Sequence, residues 1–293
     1  MHLSGCFVAI VTPFSGDSVD YDALAAHATW LVDEGVRGVV VNGTTGESAT
    51  LRADEKLRAM NVVYDAVGDR ATVVGGVGNN CTEESVDFVR RANDEVRVHA
   101  YMSVVPYYNK PSQRGMLAHL STVCAASTKP VIAYNVPGRT VVGMTAETLI
   151  AASRIDNVVA IKEASADLFM DTFVVEAIGE TTALLSGDDA TAMPFIAIGG
   201  HGVISVVGNV APRLMSDMCA AASAGDMAAA RPLHQKVCHV HHLMFSHPNP
   251  IPAKAVAADL GFGSADVRLP MVGLEPDELD ILLTQTRALG VTR

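Results

Sequence analysis

The sequence predicts an α/β fold, a (β/α)8 barrel with additional C-terminal helices. Three observations carry this expectation: short runs rich in Val and Ile, longer stretches of helical period between them, and a total of eight such runs in a chain of 293 residues. Runs that are apolar on both faces belong to parallel strands buried on both sides, the arrangement of repeated β/α units. Eight units with right-handed crossovers close naturally into a barrel, with a doubly wound sheet as the other solution.

The runs are Cys6 to Val11, Gly38 to Val41, Thr72 to Gly75, Val98 to Val105, Val131 to Tyr134, Val158 to Lys162, Ala183 to Ser186 and Val203 to Val207. Between the first two, Leu24, His27, Ala28, Leu31 and Val32 fall on one helical face and Gly35 follows as a stop. Between the next two, Leu57, Met60, Tyr64 and Val67 do the same ahead of Gly68. The eight units are used up near residue 225, so residues 1–225 are expected to form the barrel that carries the active site. Residues 226–293 then form a helical extension, with helical patterns at Met227 to Phe245 and Glu275 to Leu289. No Ser/Gly linker, charge block or low-complexity tract divides the two parts, so the extension is expected to pack on the barrel.

Composition excludes several classes of function. Hydrophobic residues make up 49% of the chain and charged residues 18%, the balance of a chain that folds. The formal charge of −11 sets up a field that repels phosphate backbones and anionic lipid, so neither nucleic acid nor a membrane surface is an expected partner. An anionic small substrate must then be held by local positive or hydrogen-bonding groups. Cys6, Cys81, Cys124, Cys219 and Cys238 lack any paired spacing, which fits a reducing compartment. The N-terminal stretch has no basic leader and meets Pro13 early, and no segment approaches the ~20 apolar residues of a membrane span, so a cytoplasmic protein is expected.

Active sites of such barrels form at the C-terminal ends of the strands, which directs attention to the residues just after each run. After the second run comes Gly43-Thr44-Thr45-Gly46-Glu47-Ser48, a turn with adjacent hydroxyls and backbone N–H groups able to cradle an anion. It lacks the lysine and spacing of a P-loop, and a tight structural turn is the plain alternative. The sixth run ends in Lys162, which alternation places on the face of Val158 and Ala160. Burial disfavours an ammonium, so a lysine there presents a neutral amine able to attack a ketone and form a Schiff base. A lysine reaching solvent or pairing with Glu163 is the alternative. After the fifth run, Tyr134 and Arg139 put a phenol able to shuttle protons and a guanidinium able to grip a carboxylate at the same mouth. After the fourth, Pro106-Tyr107-Tyr108-Asn109-Lys110-Pro111 forms an aromatic loop of the kind that packs against a partner.

The histidines argue against a metal. His99 sits at the start of its run and His201 precedes its own, and none of the ten follows a strand closely enough to ligate a metal at the top. His234, Cys238, His239, His241, His242 and His247 cluster in the extension, but without HExxH or paired-cysteine order. No metal and no cofactor are therefore expected. Gly187, Gly199, Gly200 and Gly208 lie where some barrels bind phosphate, yet no Lys or Arg accompanies them before Arg213.

With GTTGES, PYYNKPSQ, YNVPGRT, IKEA, SGDD, GGHGVISV and NPIPAK in this order, the chain resembles the dihydrodipicolinate synthase family, within the pyruvate-aldolase superfamily that includes N-acetylneuraminate lyase. The likeness runs from the first strand to the C-terminal helices, and Arg139 with the double tyrosine favours the synthase branch. The resemblance implies a class I lyase that condenses pyruvate with L-aspartate 4-semialdehyde to 4-hydroxy-tetrahydrodipicolinate, the first committed step of diaminopimelate and lysine biosynthesis. It implies that Lys162 forms the imine, that Thr44 and Thr45 hold the pyruvate carboxylate, and that Tyr134 donates and accepts protons. Thr44, Tyr134 and Tyr108 would form a relay, with Tyr108 reaching in from a neighbouring subunit and Tyr107 stacking at that interface. Arg139 would receive the second carboxylate, and Gly187 and Ile204 would line the pyruvate pocket. A homotetramer of two tight dimers is implied, and at least a dimer. The alternatives are a related pyruvate-dependent aldolase for a 2-keto sugar acid or 4-hydroxy-2-oxoglutarate, and a barrel that binds pyruvate or an amino acid without turnover.

Two departures stand out. Ser48, Ala49, Asn80, Glu84 and Tyr107 match the family's lysine-binding regulatory site, but Ala53 and Lys56 replace its histidine pair, so inhibition by lysine is expected to be weak. Asn42, directly before the GTTGES loop, has no role that the sequence explains.

Overall fold

A computed structural model describes residues 3–293. In chain order the strands are β1 (Gly5–Ala9), β2 (Phe14–Ser15), β3 (Ser18–Val19), β4 (Gly38–Val41), β5 (Thr72–Gly76), β6 (Ala100–Val104), β7 (Val131–Asn135), β8 (Val158–Glu163), β9 (Ala183–Ser186) and β10 (Gly202–Ser205). The helices are α1 (Tyr21–Asp33), α2 (Ala53–Val67), α3 (Thr82–Glu95), α4 (Gln113–Ala126), α5 (Pro137–Thr140), α6 (Ala146–Ala152), α7 (Leu168–Ile178), α8 (Ala192–Ala197), α9 (Pro212–Ser223), α10 (Met227–Met244), α11 (Ile251–Asp259) and α12 (Pro276–Ala288). Eight parallel strands close a barrel in the order β1-β10-β9-β8-β7-β6-β5-β4, with β1 paired to both β10 and β4. The chain is thus the (β/α)8 barrel that its both-faced apolar runs predict.

Alternation along each strand divides the core in two. Phe7, Val40, Val74, Met102, Ile132 and Leu185 fill the barrel interior. Val8, Val39, Val41, Val73, Val131 and Ile161 face outward and pack under the helices. One inward assignment changes. Val131 pairs with Val158 but Ile132 pairs with Ala160, a bulge that absorbs one extra residue of β8. Val158 therefore faces the outer core, and of the three residues assigned to one face Ala160 and Lys162 remain on the interior side.

Three strands stop short of their apolar runs, two of them because a polar side chain distant in sequence claims the backbone. Val11 leaves β1's ladder when its N–H bonds to Asn209 Oδ1 at 2.9 Å. After β10 the N–H groups of Val206 and Val207 both donate to Asp189 Oδ2 at 2.9 Å, which ends the strand at Ser205 and starts a 3-10 turn. Before β6, Val98 and His99 lie outside the strand. The hairpin of β2 and β3 was not visible in the pattern, each strand being two residues long. The helix stops differ as well. Gly35 takes a left-handed φ of 95°, as a C-terminal glycine should. Gly68 instead remains right-handed with φ of −59°; a Cβ there would meet the Tyr64 carbonyl at 2.6 Å, so close approach is what calls for glycine.

The extension forms α10, α11 and α12. α10 packs on α8 and α9, and α11 on α10, α12 and the turn after β10. Phe262, just past α11, stacks on His27 of α1 with ring centroids 4.5 Å apart. Burial in that stack pushes the His27 imidazole down to about 4, although its Nε2 is hydrogen-bonded to the Asn209 carbonyl. Among the described residues no helix is long and apolar enough to cross a membrane.

Candidate active site

The top of the barrel holds a cavity of about 580 Å³ lined by Thr44, Ser48, Lys56, Tyr107, Tyr134 and Arg139, among others. A larger groove of about 820 Å³ opens at the opposite end, around Ser4, Arg37 and Arg213; it is lined by Gly199 and Gly200, which are thus not at the top of the barrel, and by none of the catalytic or substrate-binding candidates. The C-terminal strand ends place the site, as the fold requires.

Lys162 and Tyr134 are register partners on β8 and β7. The Lys162 amine lies 4.3 Å from the centroid of the Tyr134 ring, and the lysine is only 5% exposed. It does not reach solvent. Nor does it pair with Glu163, whose carboxylate points to the other face, accepting from Asn135 Nδ2 at 2.7 Å and from the Ser165 N–H at 2.6 Å. Burial nonetheless pushes the Glu163 carboxyl upward. Gly187 gives the lysine its room: a Cβ there would meet Lys162 Cε at 2.9 Å and Ala164 Cβ at 2.4 Å. Ile204, fully buried, closes the barrel interior beneath.

The GTTGES turn is tighter than an open anion cradle. The N–H groups of Gly46 and Ser48 donate to the Gly43 carbonyl and that of Glu47 to the Thr44 carbonyl. The N–H groups of Gly43, Thr44 and Thr45 make no hydrogen bond to another described residue, so the donors left to a ligand are these three and the hydroxyls. Asn42 and Glu47 both sit in the left-handed region, φ 58° and 55°. Asn42 tolerates that conformation better than most residues, and its Nδ2 donates to the Lys56 carbonyl at 3.0 Å, tying α2 to the loop. This accounts for an asparagine at that position.

The C-terminal extension supplies what the strand-end rule missed. Lys254 of α11 is 1% exposed and its Nζ donates to Glu47 Oε1 at 2.6 Å, with the Phe14 ring centroid 3.6 Å away. Burial draws the Lys254 amine down to about 8, although Glu47 pulls it up. Glu47 Oε2 also accepts the Arg268 N–H at 3.0 Å. Asn249, just before α11, donates from Nδ2 to Thr45 Oγ1 at 2.9 Å, and its carbonyl accepts Arg139 Nη2 at 3.3 Å. The NPIPAK segment was the only sequence signal for these contacts.

Tyr108 is not brought to this chain's own site: it is 86% exposed, on a loop where its φ is 72°. Tyr107 lines the cavity. Of the regulatory candidates, Ser48, Ala49, Lys56 and Glu84 also line it. Asn80 is outside the lining, its carbonyl accepting Asn109 Nδ2 at 2.8 Å. Lys56 lies over the Phe88 ring, 5.6 Å from its centroid, and burial lowers its amine from the ordinary lysine value. In the His-rich region, Cys238 Sγ lies 3.6 Å from His234 Nε2. No group of three or more His, Cys, Asp or Glu among the described residues is placed to hold a metal ion.

Comparison with known proteins fits this geometry. The dihydrodipicolinate synthetase family matches residues 2–288. The chain belongs to that family. A 4-hydroxy-tetrahydrodipicolinate synthase of Magnetococcus marinus is 43% identical over 270 residues, covering 92% of both chains. The crystal structure of dihydrodipicolinate synthase from Aquifex aeolicus superposes with a TM-score of 0.94 at 36% identity, covering 99% of each chain. That of the enzyme from Cyanidioschyzon merolae, solved with lysine bound, gives 0.94 at 35% identity over 99% of this chain and all of that one. Family members thus share this barrel nearly end to end, extension included.

Proposed function

We propose that the chain condenses pyruvate with L-aspartate 4-semialdehyde to 4-hydroxy-tetrahydrodipicolinate through a Schiff base on Lys162. The observation that carries this reading is the buried Lys162 amine against the Tyr134 ring, at the end of the barrel where the Thr44-Thr45 turn and Arg139 also sit. The Lys162 nitrogen adds to the pyruvate ketone and the ketone oxygen leaves as water, with Tyr134 moving the protons. Loss of a methyl proton then makes an enamine, whose carbon attacks the aldehyde of the second substrate. The amino group of that substrate closes the ring at the imine carbon and displaces Lys162. Thr44 and Thr45 hold the pyruvate carboxylate, and Arg139 takes the second carboxylate.

The same reading gives Tyr108 a place. An aromatic residue that is 86% exposed supports delivery of its hydroxyl to the site of a second copy. Phe169 and Phe173 on α7, an exposed edge-to-face pair, support a second interface and hence a dimer of dimers. The test is turnover of the two substrates, coupled to reductase consumption of the product: activity that requires both compounds supports the reading, and an enzyme that cleaves a 2-keto sugar acid but ignores aspartate semialdehyde overturns it.

A further inference from the structure

We propose that Asn249 is a positioning residue for the first substrate, orienting the Thr45 hydroxyl so that it donates to the pyruvate carboxylate. The inference rests on the reading of Thr45 given above. Asn249 and Thr45 are 204 residues apart, and both are buried, 7% and 3% exposed. The Asn249 amide N–H donates to Thr45 Oγ1 at 2.9 Å. A hydroxyl that accepts at its oxygen keeps its own hydrogen for another acceptor, and a carboxylate is acceptor-only. The amide therefore turns Thr45 from a group that could point either way into a dedicated donor.

The rest of the segment serves to hold that contact. The buried Lys254–Glu47 pair, 2.6 Å, joins α11 to the turn two residues past Thr45, and the Lys254 N–H donates to the Pro250 carbonyl at 2.9 Å. Both ends of the Asn249–Thr45 bond are thus anchored by the same clamp. The Asn249 carbonyl, through Arg139 Nη2 at 3.3 Å, links the groups assigned to the two substrate carboxylates. Asn249 Oδ1, in contrast, is buried with no hydrogen-bond partner among the described residues. An amide whose acceptor is left empty while its donor is engaged is kept for the donor.

The test uses the intact enzyme and steady-state kinetics with pyruvate varied. Asn249→Asp presents only acceptors, so it draws the Thr45 hydrogen toward itself, and the KM for pyruvate should rise about 10- to 100-fold while kcat falls far less. Asn249→Ala and Thr45→Val should each raise the same KM, and the double variant should be no worse than Thr45→Val alone. Borohydride with saturating pyruvate should still label Lys162 in every variant. Thermal melting checks that each is folded, and should Asn249→Asp fail to fold, the Ala and Val cycle decides alone. An unchanged pyruvate KM in a folded Asn249 variant, or effects that simply multiply in the double, overturns the inference while leaving the Schiff-base reading intact. A wild-type enzyme that traps no pyruvate overturns that reading and this inference with it.

Discussion

Replacing Lys254 with Met should destabilise the protein strongly. The substitution keeps the length of the buried stem but removes the ammonium that sits 2.6 Å from Glu47 Oε1. Glu47 is then a carboxylate 2% exposed whose remaining partner is the Arg268 N–H. Breaking a buried pair by removing one partner costs about 3–5 kcal/mol. The destabilisation of Lys254→Met should therefore be about 4 kcal/mol. Burial already holds the Lys254 amine down at about 8, so the attraction within the pair is largely offset by desolvation. Removing both charges in Glu47→Gln with Lys254→Met should accordingly recover most of the loss. Urea unfolding at pH 7, followed by circular dichroism on wild type, both single variants and the double, measures all of this. A loss below about 1 kcal/mol, or a double variant no better than Lys254→Met, would refute the reasoning.

Other consequences can be measured separately. Asp171 is buried, and burial together with Glu163 and Asp167 pushes its carboxyl up to about 7. The native state then holds a proton that the unfolded chain gives up near pH 4, so this group favours folding in acid and its contribution is lost as the pH rises through 7. Asp171→Asn should flatten the fall in melting temperature between pH 5 and 8, and an undiminished fall would count against this. Arg139→Ala should keep pyruvate trapping on Lys162 but lose about 100-fold in kcat/KM for aspartate semialdehyde, since a bidentate grip on a carboxylate is lost. Loss of trapping together with turnover would give the arginine another role. Lysine should inhibit weakly, because Lys56 adds a cation to the cavity lining that opposes an incoming ammonium, and half-inhibition below about 1 mM would contradict this. The lowering of the Lys56 amine by burial softens that repulsion without providing a carboxylate for the effector's amines.

The barrel was legible because its strands are buried on both faces, so hydrophobicity alone marks them, and Gly38–Val41 and Ala183–Ser186 appear with their observed bounds. The bulge at Val158 was not legible, since alternation assumes one residue per pair and nothing in VVAIKE signals the extra one. The early ends of β1 and β10 were set by Asn209 and Asp189, polar groups distant in sequence that bind the N–H groups of Val11 and Val206. The position of Lys162, Tyr134, Thr44 and Arg139 around one end of the barrel followed from the rule that sites form after the strands. That rule is blind to α11, which reaches the same place from the far end of the chain. Asn249 and Lys254 therefore stood in a quoted motif without any role, and of the six N–H groups of GTTGES, read as anion donors, three close the turn itself.

Borohydride reduction in the presence of pyruvate, followed by peptide mapping, tests the central claim most directly. Lys162 should carry the mass of pyruvic acid less one oxygen, the label should be absent without pyruvate, and Lys162→Arg should abolish it. A label on Lys254, Lys56 or any other lysine, or full turnover in Lys162→Arg, would contradict the assignment.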